Sequence, residues 1–427
     1  MSESVVAIKV EREAFPTDQV AAEANVPRVL TFTRLFPNAM DPLNGVFVQE
    51  RIKALAKYCP VQVIAPVPWT PPLRLLGDRY YRYSQVPHEE RREGLVVHHP
   101  RFIVMPKVMK ASDGMLLAIS MLGAMRTVRR AYPFDLIDAH WAYPDGVAAA
   151  FLARHFNIPF SITVRGDDIN IFPQQFWLRQ LIRWALQKAN LVIAVSQDLK
   201  RGVEELQVDP SKVVVIQNGI APIDFHPVDR IAARQALGLR LDERIVLTVG
   251  RLHRSKGFPT LVEAVAVLAR TVSNIRVVIV GGPDHEADAT FDIRAAAARH
   301  GIADKLTLVG TQPRASLPLW YGAADVFCLP TQREGSANVI LEALACGVPC
   351  VSTPVGCNAE MLSNPEVGIL TPADVESMSQ ALAHALSKKW DSKAIAQHSQ
   401  KRPWAVVASE CHHHLTRIVT PAVRTVG

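Results

Sequence analysis

Cysteine is scarce in this chain of 427 residues. The six, at positions 59, 328, 346, 350, 357 and 411, lack the regular spacing of a disulfide framework. That excludes a disulfide-stapled scaffold and points to a reducing, cytoplasmic compartment. Long apolar runs are also missing. No stretch reaches the roughly 18 residues needed to span a bilayer, and the nearest is MLLAISMLGAM at 115–125. Residues 1–26 have no basic region ahead of a long apolar core, so they read as a loose leader and not as a secretory signal. Neither sign of charge dominates: 47 Lys and Arg face 40 Asp and Glu, a net +7. So small an excess, not gathered in one stripe, argues against nucleic acid as a partner. Internal repeats and low-complexity tracts are absent. No Asp-X-Asp tripeptide occurs, and no metal site is expected.

What is present is apolar and rhythmic. Hydrophobic residues make up 49% and charged residues 20%, which excludes a disordered chain. Strand-like runs alternate with helical ones: 28–33, 61–66, 135–139, 159–164, 191–196 and 213–219, with helices at 44–58, 145–156 and 176–189 between them. Asp145 is placed to cap the helix it opens, and Ser196 the one that follows it. Residues 67–93, rich in Pro, Tyr and Arg, read as an irregular excursion. The rhythm resumes from 244 to 388, and Gly347 suits the C′ position of a helix over 336–347. Between the two stretches, 220–243 has no periodicity and reads as a linker. The spacing predicts two open α/β units with parallel sheets. Ligands of such sheets bind beyond the carboxyl ends of the strands, so two facing units would share a cleft.

Two loops carry the chemistry. Gly250-Arg251-Leu-His-Arg-Ser-Lys256-Gly257 follows a strand, and two cations in a Gly-bounded loop suit a diphosphate. The GxxxxGK[ST] spacing of a P-loop is not there. Glu334-Gly335-Ser336-Ala337-Asn338 follows another strand and opens a helix that holds Glu342. First-turn amides from Ser336 to Asn338 can hold an anion or a hydroxyl, and the carboxylates can grip vicinal hydroxyls. A pair of surface charges is the plain alternative. His412–His414 point in different directions along a helix and do not share one ion. Cys346, Cys350 and Cys357 lack zinc-site spacing and are expected to pack.

The strings GRLHRSKGFPTLVEA and GAADVFCLPTQREGSANVILEALACGVPCVSTPVG resemble the retaining glycosyltransferases of family 4. FPNAMDPLNGVFVQERIKAL is similar to members that build bacterial exopolysaccharides. The resemblance implies the two-domain GT-B architecture: an N-terminal acceptor-side domain over 27–222, a nucleotide-sugar-binding domain over 223–402, and a terminal helix, 403–427, that crosses back. It implies that Arg251 and Lys256 hold the donor diphosphate, that Glu334 contacts the donor sugar and that Glu342 holds the ribose. Gly250, Gly335, Ser336, Ala337 and Asn338 would line the donor, Gly45 would lie under the diphosphate, and Thr311 would mark the seat of the base. His140 would reach the sugar or the acceptor. Arg165-Gly166-Asp167-Asp168 departs from the His-Gly of many relatives; Arg165 either binds an anionic acceptor, with Asp168 beside it, or pairs with Asp167 or Asp168.

The expected reaction moves a sugar from a nucleotide-diphosphate sugar to a glycan or lipid-linked acceptor, without cofactor or metal. A sugar-nucleotide epimerase of the same fold and a non-catalytic glycan-binding homologue are the alternatives. The run at 115–125, flanked by Lys107, Lys110, Arg126, Arg129 and Arg130, reads either as a buried helix or as a contact for an anionic membrane surface at the inner face of the cell.

Overall fold

A computed structural model describes residues 26–69, 78–103, 110–284 and 287–419. The expected leader, apart from Val26, lies outside them, as does Lys107. Strands β1 (Val29–Phe32), β2 (Val61–Ile64), β3 (Glu89–Arg92), β4 (Leu95–His98), β5 (Leu136–His140), β6 (Phe160–Val164), β7 (Leu191–Ala194) and β8 (Val213–Val215) form the first sheet. Their order is β8-β7-β6-β5-β1-β2-β4-β3. All neighbours are parallel except β3 and β4. β5 and β6 are buried at every position, as a parallel strand covered on both faces must be.

Helices cover both faces. On one side lie α2 (Asp113–Ala131), α3 (Val147–Phe156), α4 (Phe176–Lys188) and α5 (Gln197–Glu205), whose Leu117, Met121, Leu152, Ile182 and Leu199 share a core with Phe32 and Ile162. In α4 the buried residues, Leu178, Ile182, Ala185 and Leu186, fall on one helical stripe. On the other side lie α1 (Val46–Leu55) and the last helix, α8 (Trp404–Val419). Val48, Ile52 and Leu55 of α1 pack with Trp404, Val407, Cys411 and Leu415 of α8.

The second sheet holds β9 (Arg244–Val249), β10 (Ile275–Val280), β11 (Leu306–Gly310), β12 (Val326–Leu329), β13 (Cys350–Ser352) and β14 (Gly368–Leu370), in the order β11-β10-β9-β12-β13-β14 and parallel throughout. Among its helices are α6 (Phe258–Leu268) and α7 (Asn338–Ala345). The chain leaves the first sheet at Ile220 and comes back at Pro403, and the two crossings pair: Ile220 N–H donates to the Arg402 carbonyl at 3.1 Å and Trp404 N–H to the Ile220 carbonyl at 3.1 Å. In both sheets the strand order reverses beside one strand, between β1 and β5 and between β9 and β12. Loops diverge at such points and leave a crevice.

Local expectations meet mixed outcomes. Ser196 Oγ accepts from Leu199 N–H at 3.1 Å, a working N-cap. Gly347 has φ +75° and follows α7 as C′. Asp145 is not a cap: it is wholly buried and takes Arg34 Nε–H at 2.8 Å and Arg34 N–H at 3.0 Å, because a long-range arginine outcompetes the local amides. The excursion at 67–93 is structured where described, with a helix over Asp78–Ser84 and the edge strand β3. The linker at 220–243 contains the helix Arg230–Ala236, capped by Asp229. All six cysteines are free and buried.

Candidate active site

Both chemical loops sit at the switch point of the second sheet. The loop after β9 turns through Arg254–Lys256 and closes on Gly257. Gly257 has φ +68°, and a Cβ there would stand 2.1 Å from the Pro330 carbonyl oxygen at the end of β12. Only glycine permits that approach, and it brings Lys256 to the Glu334 loop. The Ser255 carbonyl accepts from Gln332 N–H at 2.8 Å and Thr331 Oγ at 3.2 Å, tying the two loops together. Lys256 Nζ and Glu334 Oε1 then form an ion pair, with both side chains largely but not fully covered. Arg251 is different: its side chain is 78% exposed and reaches the buried Asp284 at 2.8 Å. Gly250, just before it, ends β9 through a bond from its N–H to the Val280 carbonyl. Thr311 is exposed just past β11.

The Glu334 loop meets the first domain. A Cβ on Gly335 would stand 1.7 Å from the Arg165 carbonyl oxygen and 2.8 Å from Gly166 Cα. Asn218, in the crossing segment, donates through Nδ2 to Asn338 Oδ1 at 2.8 Å and to Ser336 Oγ at 3.2 Å. Two of the amides expected to face a ligand are taken. Ala337 N–H donates to Cys357 Sγ at 3.3 Å, and Asn338 N–H to the Ser336 carbonyl at 3.1 Å. Glu342 faces a cavity between the domains, lined also by Phe47, Glu50, Arg314 and Asn338. Its carboxylate is occupied: Arg314 Nη1 lies at 3.3 Å and Tyr321 Oη donates at 2.9 Å. Burial pushes Glu342 up against the pull of these donors. A ribose would have to share or displace Arg314.

In the first domain Gly45 is the N-cap residue of α1, behind Asn44, whose Nδ2 donates to the Arg34 and Phe36 carbonyls at 3.1 and 3.2 Å. His140 does not reach into the cleft. It is fully buried, with Nε2 at 3.1 Å from Asp138 and Nδ1 at 2.7 Å from Arg165 Nη2. Burial first, then the Arg165 charge, lower it to about 4 against the opposing effect of Asp138. It is therefore a neutral ring that donates to Asp138 and accepts from Arg165. Burial opposes ionisation of Asp138, but His140, Arg51 and Ser161 outweigh it and hold the group at about 2. Among the described residues the Arg165 side chain forms no ion pair with Asp167 or Asp168, although its backbone N–H donates to Asp168. Its guanidinium is bonded to His140 and lies 5.0 Å over the Phe47 ring, and its Nη1 has no hydrogen-bond partner among the described residues. Asp168 is not available to an acceptor: it is wholly buried and accepts from the N–H groups of Ala142, Arg165 and Gly166 at 2.8–3.0 Å. Burial raises it to about 6 even so.

Arg314, Tyr321 and Asp284 were not candidates. They lie in unremarkable local patterns and reach the site only through the fold. Among the described residues no group of three or more His, Cys, Asp or Glu side chains is placed to hold a metal ion.

Two parallel-sheet domains with facing switch points, and a Lys–Glu pair at the seam, define the class: the GT-B glycosyltransferase fold. Solved structures agree. Sucrose-phosphate synthase from Thermosynechococcus elongatus superposes with a TM-score of 0.74 at 21% identity, over 92% of this chain and 99% of that one. HepE from Anabaena in complex with UDP superposes at 0.70 and 18% identity, over 91% and 99%. The profile for Glycosyltransferase Family 4 matches residues 45–222, and that for Glycosyl transferases group 1 matches residues 229–402. A proposed teichuronic acid biosynthesis glycosyltransferase of Bacillus subtilis (strain 168), TuaC, is 30% identical over 361 residues, 83% of this chain and 88% of that protein. D-inositol 3-phosphate glycosyltransferase of Mycobacteroides abscessus is 32% identical over 222 residues, about half of each chain. The chain belongs to the family 4 glycosyltransferases and is a sugar-transferring enzyme.

Proposed function

We propose that this enzyme transfers a sugar, with retention at the anomeric carbon, from a nucleotide-diphosphate sugar to a hydroxyl of a glycan or lipid-linked acceptor in polysaccharide synthesis. The observation that carries this is the Lys256–Glu334 pair, set in the loops after β9 and β12 beside Gly335, which abuts Arg165 and Gly166 of the first domain. Breaking the bond from anomeric carbon to phosphate puts negative charge on the leaving diphosphate. Cations fixed there lower the barrier. Lys256 supplies one by exchanging Glu334 for a phosphate oxygen, and Arg251 supplies a second by leaving Asp284. Glu334, released, turns to the donor sugar. No side chain needs to act as base in a front-face route, where the departing phosphate takes the acceptor's proton. The enclosure of His140 is compatible with that route. Ser336 and Thr311 are assigned to the donor; Arg165, buried and bonded to His140, is assigned to holding that ring at the wall of the cleft. No metal or cofactor enters the proposal, and the site of action is the cytoplasm.

A panel of nucleotide-sugars tests it, beginning with UDP-glucose, which HepE binds in a solved complex. A donor at a hundredfold its dissociation constant stabilises the chain by about 2.7 kcal/mol, a readable shift in melting temperature. The expected result is stabilisation by one donor, slow hydrolysis of it, and loss of both in Lys256→Ala. Interconversion of the nucleotide-sugar without acceptor would instead identify an epimerase.

A further inference from the structure

Helices α2, α3 and α4 make one outer layer. Their buried sides share a single core on one face of the first sheet. α2 lies against α3 and α3 against α4, and the Lys110–Ser112 turn ahead of α2 touches α4. The outward side of this layer is unusually apolar. Met115 and Ile119 of α2 are 49% and 58% exposed, Phe151 of α3 37%, and Phe176 and Trp177 of α4 63% and 71%. The Phe176 and Trp177 rings lie 5.1 Å apart, and Phe151 lies 4.8 Å from Trp184. Met115 is the third residue of α2, and Phe176 and Trp177 are the first two of α4. Crossover helices start at the end of the sheet where strands deliver their carboxyl termini. The most exposed apolar side chains therefore stand at the cleft end of the layer.

The charge is equally one-sided. These three helices carry seven Lys and Arg and a single acidic residue, Asp113, although the whole chain is nearly balanced. Arg130, Arg154, Arg179 and Arg183 form no ion pair among the described residues, and the first three are exposed. Aromatic rings that seat at headgroup depth, with Arg179 and Arg183 close by on α4 and Arg130 and Arg154 further along the same layer, complement an anionic bilayer in both respects.

We propose that the outer face of α2, α3 and α4 docks on an anionic lipid bilayer and brings the cleft to a lipid-linked acceptor. The lipid-linked acceptor rests on the function proposed above; the docking does not. The test is cosedimentation of the full chain with vesicles of phosphatidylcholine, alone or mixed with phosphatidylglycerol, at low and high salt. Two double variants accompany it: Phe176→Ser with Trp177→Ser, and Arg179→Glu with Arg183→Glu. Binding is expected only to the anionic vesicles, weakened by salt, and roughly tenfold or more weaker in each variant. Hydrolysis of a soluble nucleotide-sugar is expected to be unchanged in both variants, which also shows that they fold. Failure to bind anionic vesicles, or undiminished binding by the variants, overturns the proposal. So does a dimer that the variants dissociate without any vesicle binding. If the chain hydrolyses donor normally yet ignores vesicles, the docking face is wrong and the transfer chemistry stands.

Discussion

Replacing Gly335 by alanine would press on the seam between the domains. The new Cβ would stand 1.7 Å from the Arg165 carbonyl oxygen, 2.5 Å from its carbon and 2.8 Å from Gly166 Cα. All three are backbone atoms of the facing domain, so no side chain can swing aside to make room. Ordinary contact begins at 3.4 Å, so the domains must part there by about 1.7 Å, on the scale at which misplacement costs about a hundredfold in rate. That corresponds to about 2.7 kcal/mol of transition-state stabilisation. The penalty falls between two domains that each have their own core, so the melting temperature should stay close to that of the parent chain. The assay is kcat/KM for transfer or donor hydrolysis, with small-angle scattering in saturating donor to register a wider particle. Turnover within about threefold of the parent would refute the claim that the chemistry needs this approach.

Other outcomes follow from single side chains. Lys256→Ala and Glu334→Ala should each lose about two to three orders of magnitude in kcat with unchanged circular dichroism, as removal of fixed transition-state charge does; normal turnover by either would cancel its assignment. His140 enters the fold with its pKa lowered from 6.5 to about 4. Its stabilisation is complete above pH 6.5 and is lost as pH falls towards 4, up to about 3 kcal/mol, because the unfolded ring binds a proton that the folded one refuses. His140→Gln keeps one donor and one acceptor but cannot titrate, so urea unfolding should show the variant losing less stability between those pH values; parallel acid slopes would contradict this. Ser196→Ala removes the bond to Leu199 N–H and should cost about 1 kcal/mol in urea unfolding.

The alternation of strands and helices was legible because buried parallel strands are short apolar runs and their crossover helices are amphipathic. Loops at strand ends were legible for the same reason: Arg251, Lys256 and Glu334 stand beside glycines that end a strand or start a helix. What could not be read is how far apart in sequence the final partners lie. Lys256 and Glu334 are 78 positions apart, Arg251 and Asp284 33, and Arg314 and Glu342 28. Burial was the other blind spot. His140 and Asp168 look like site groups because polar residues follow strands, yet the packing of α3 and the Arg165 loop encloses both. Their partners there are Asp138 and Arg165 for His140 and three backbone amides for Asp168, and nothing in the local pattern distinguishes such enclosed bonding from an open site. The Phe176–Trp177 pair escaped because α4 has a proper buried stripe, and periodicity does not report what the opposite side displays.

The pairing of the crossings at Ile220 and Pro403 bears on the order in which the polypeptide is made. The second sheet and its helices lie wholly between those points. They can emerge from the ribosome and close their own core while the first domain is still incomplete. Val48, Ile52 and Leu55 wait, half covered, until Trp404, Val407 and Leu415 arrive some 350 residues later. During synthesis the amino-terminal domain therefore finishes last, and a chain cut short before α8 exposes a greasy strip on α1 that quality-control proteases and chaperones recognise.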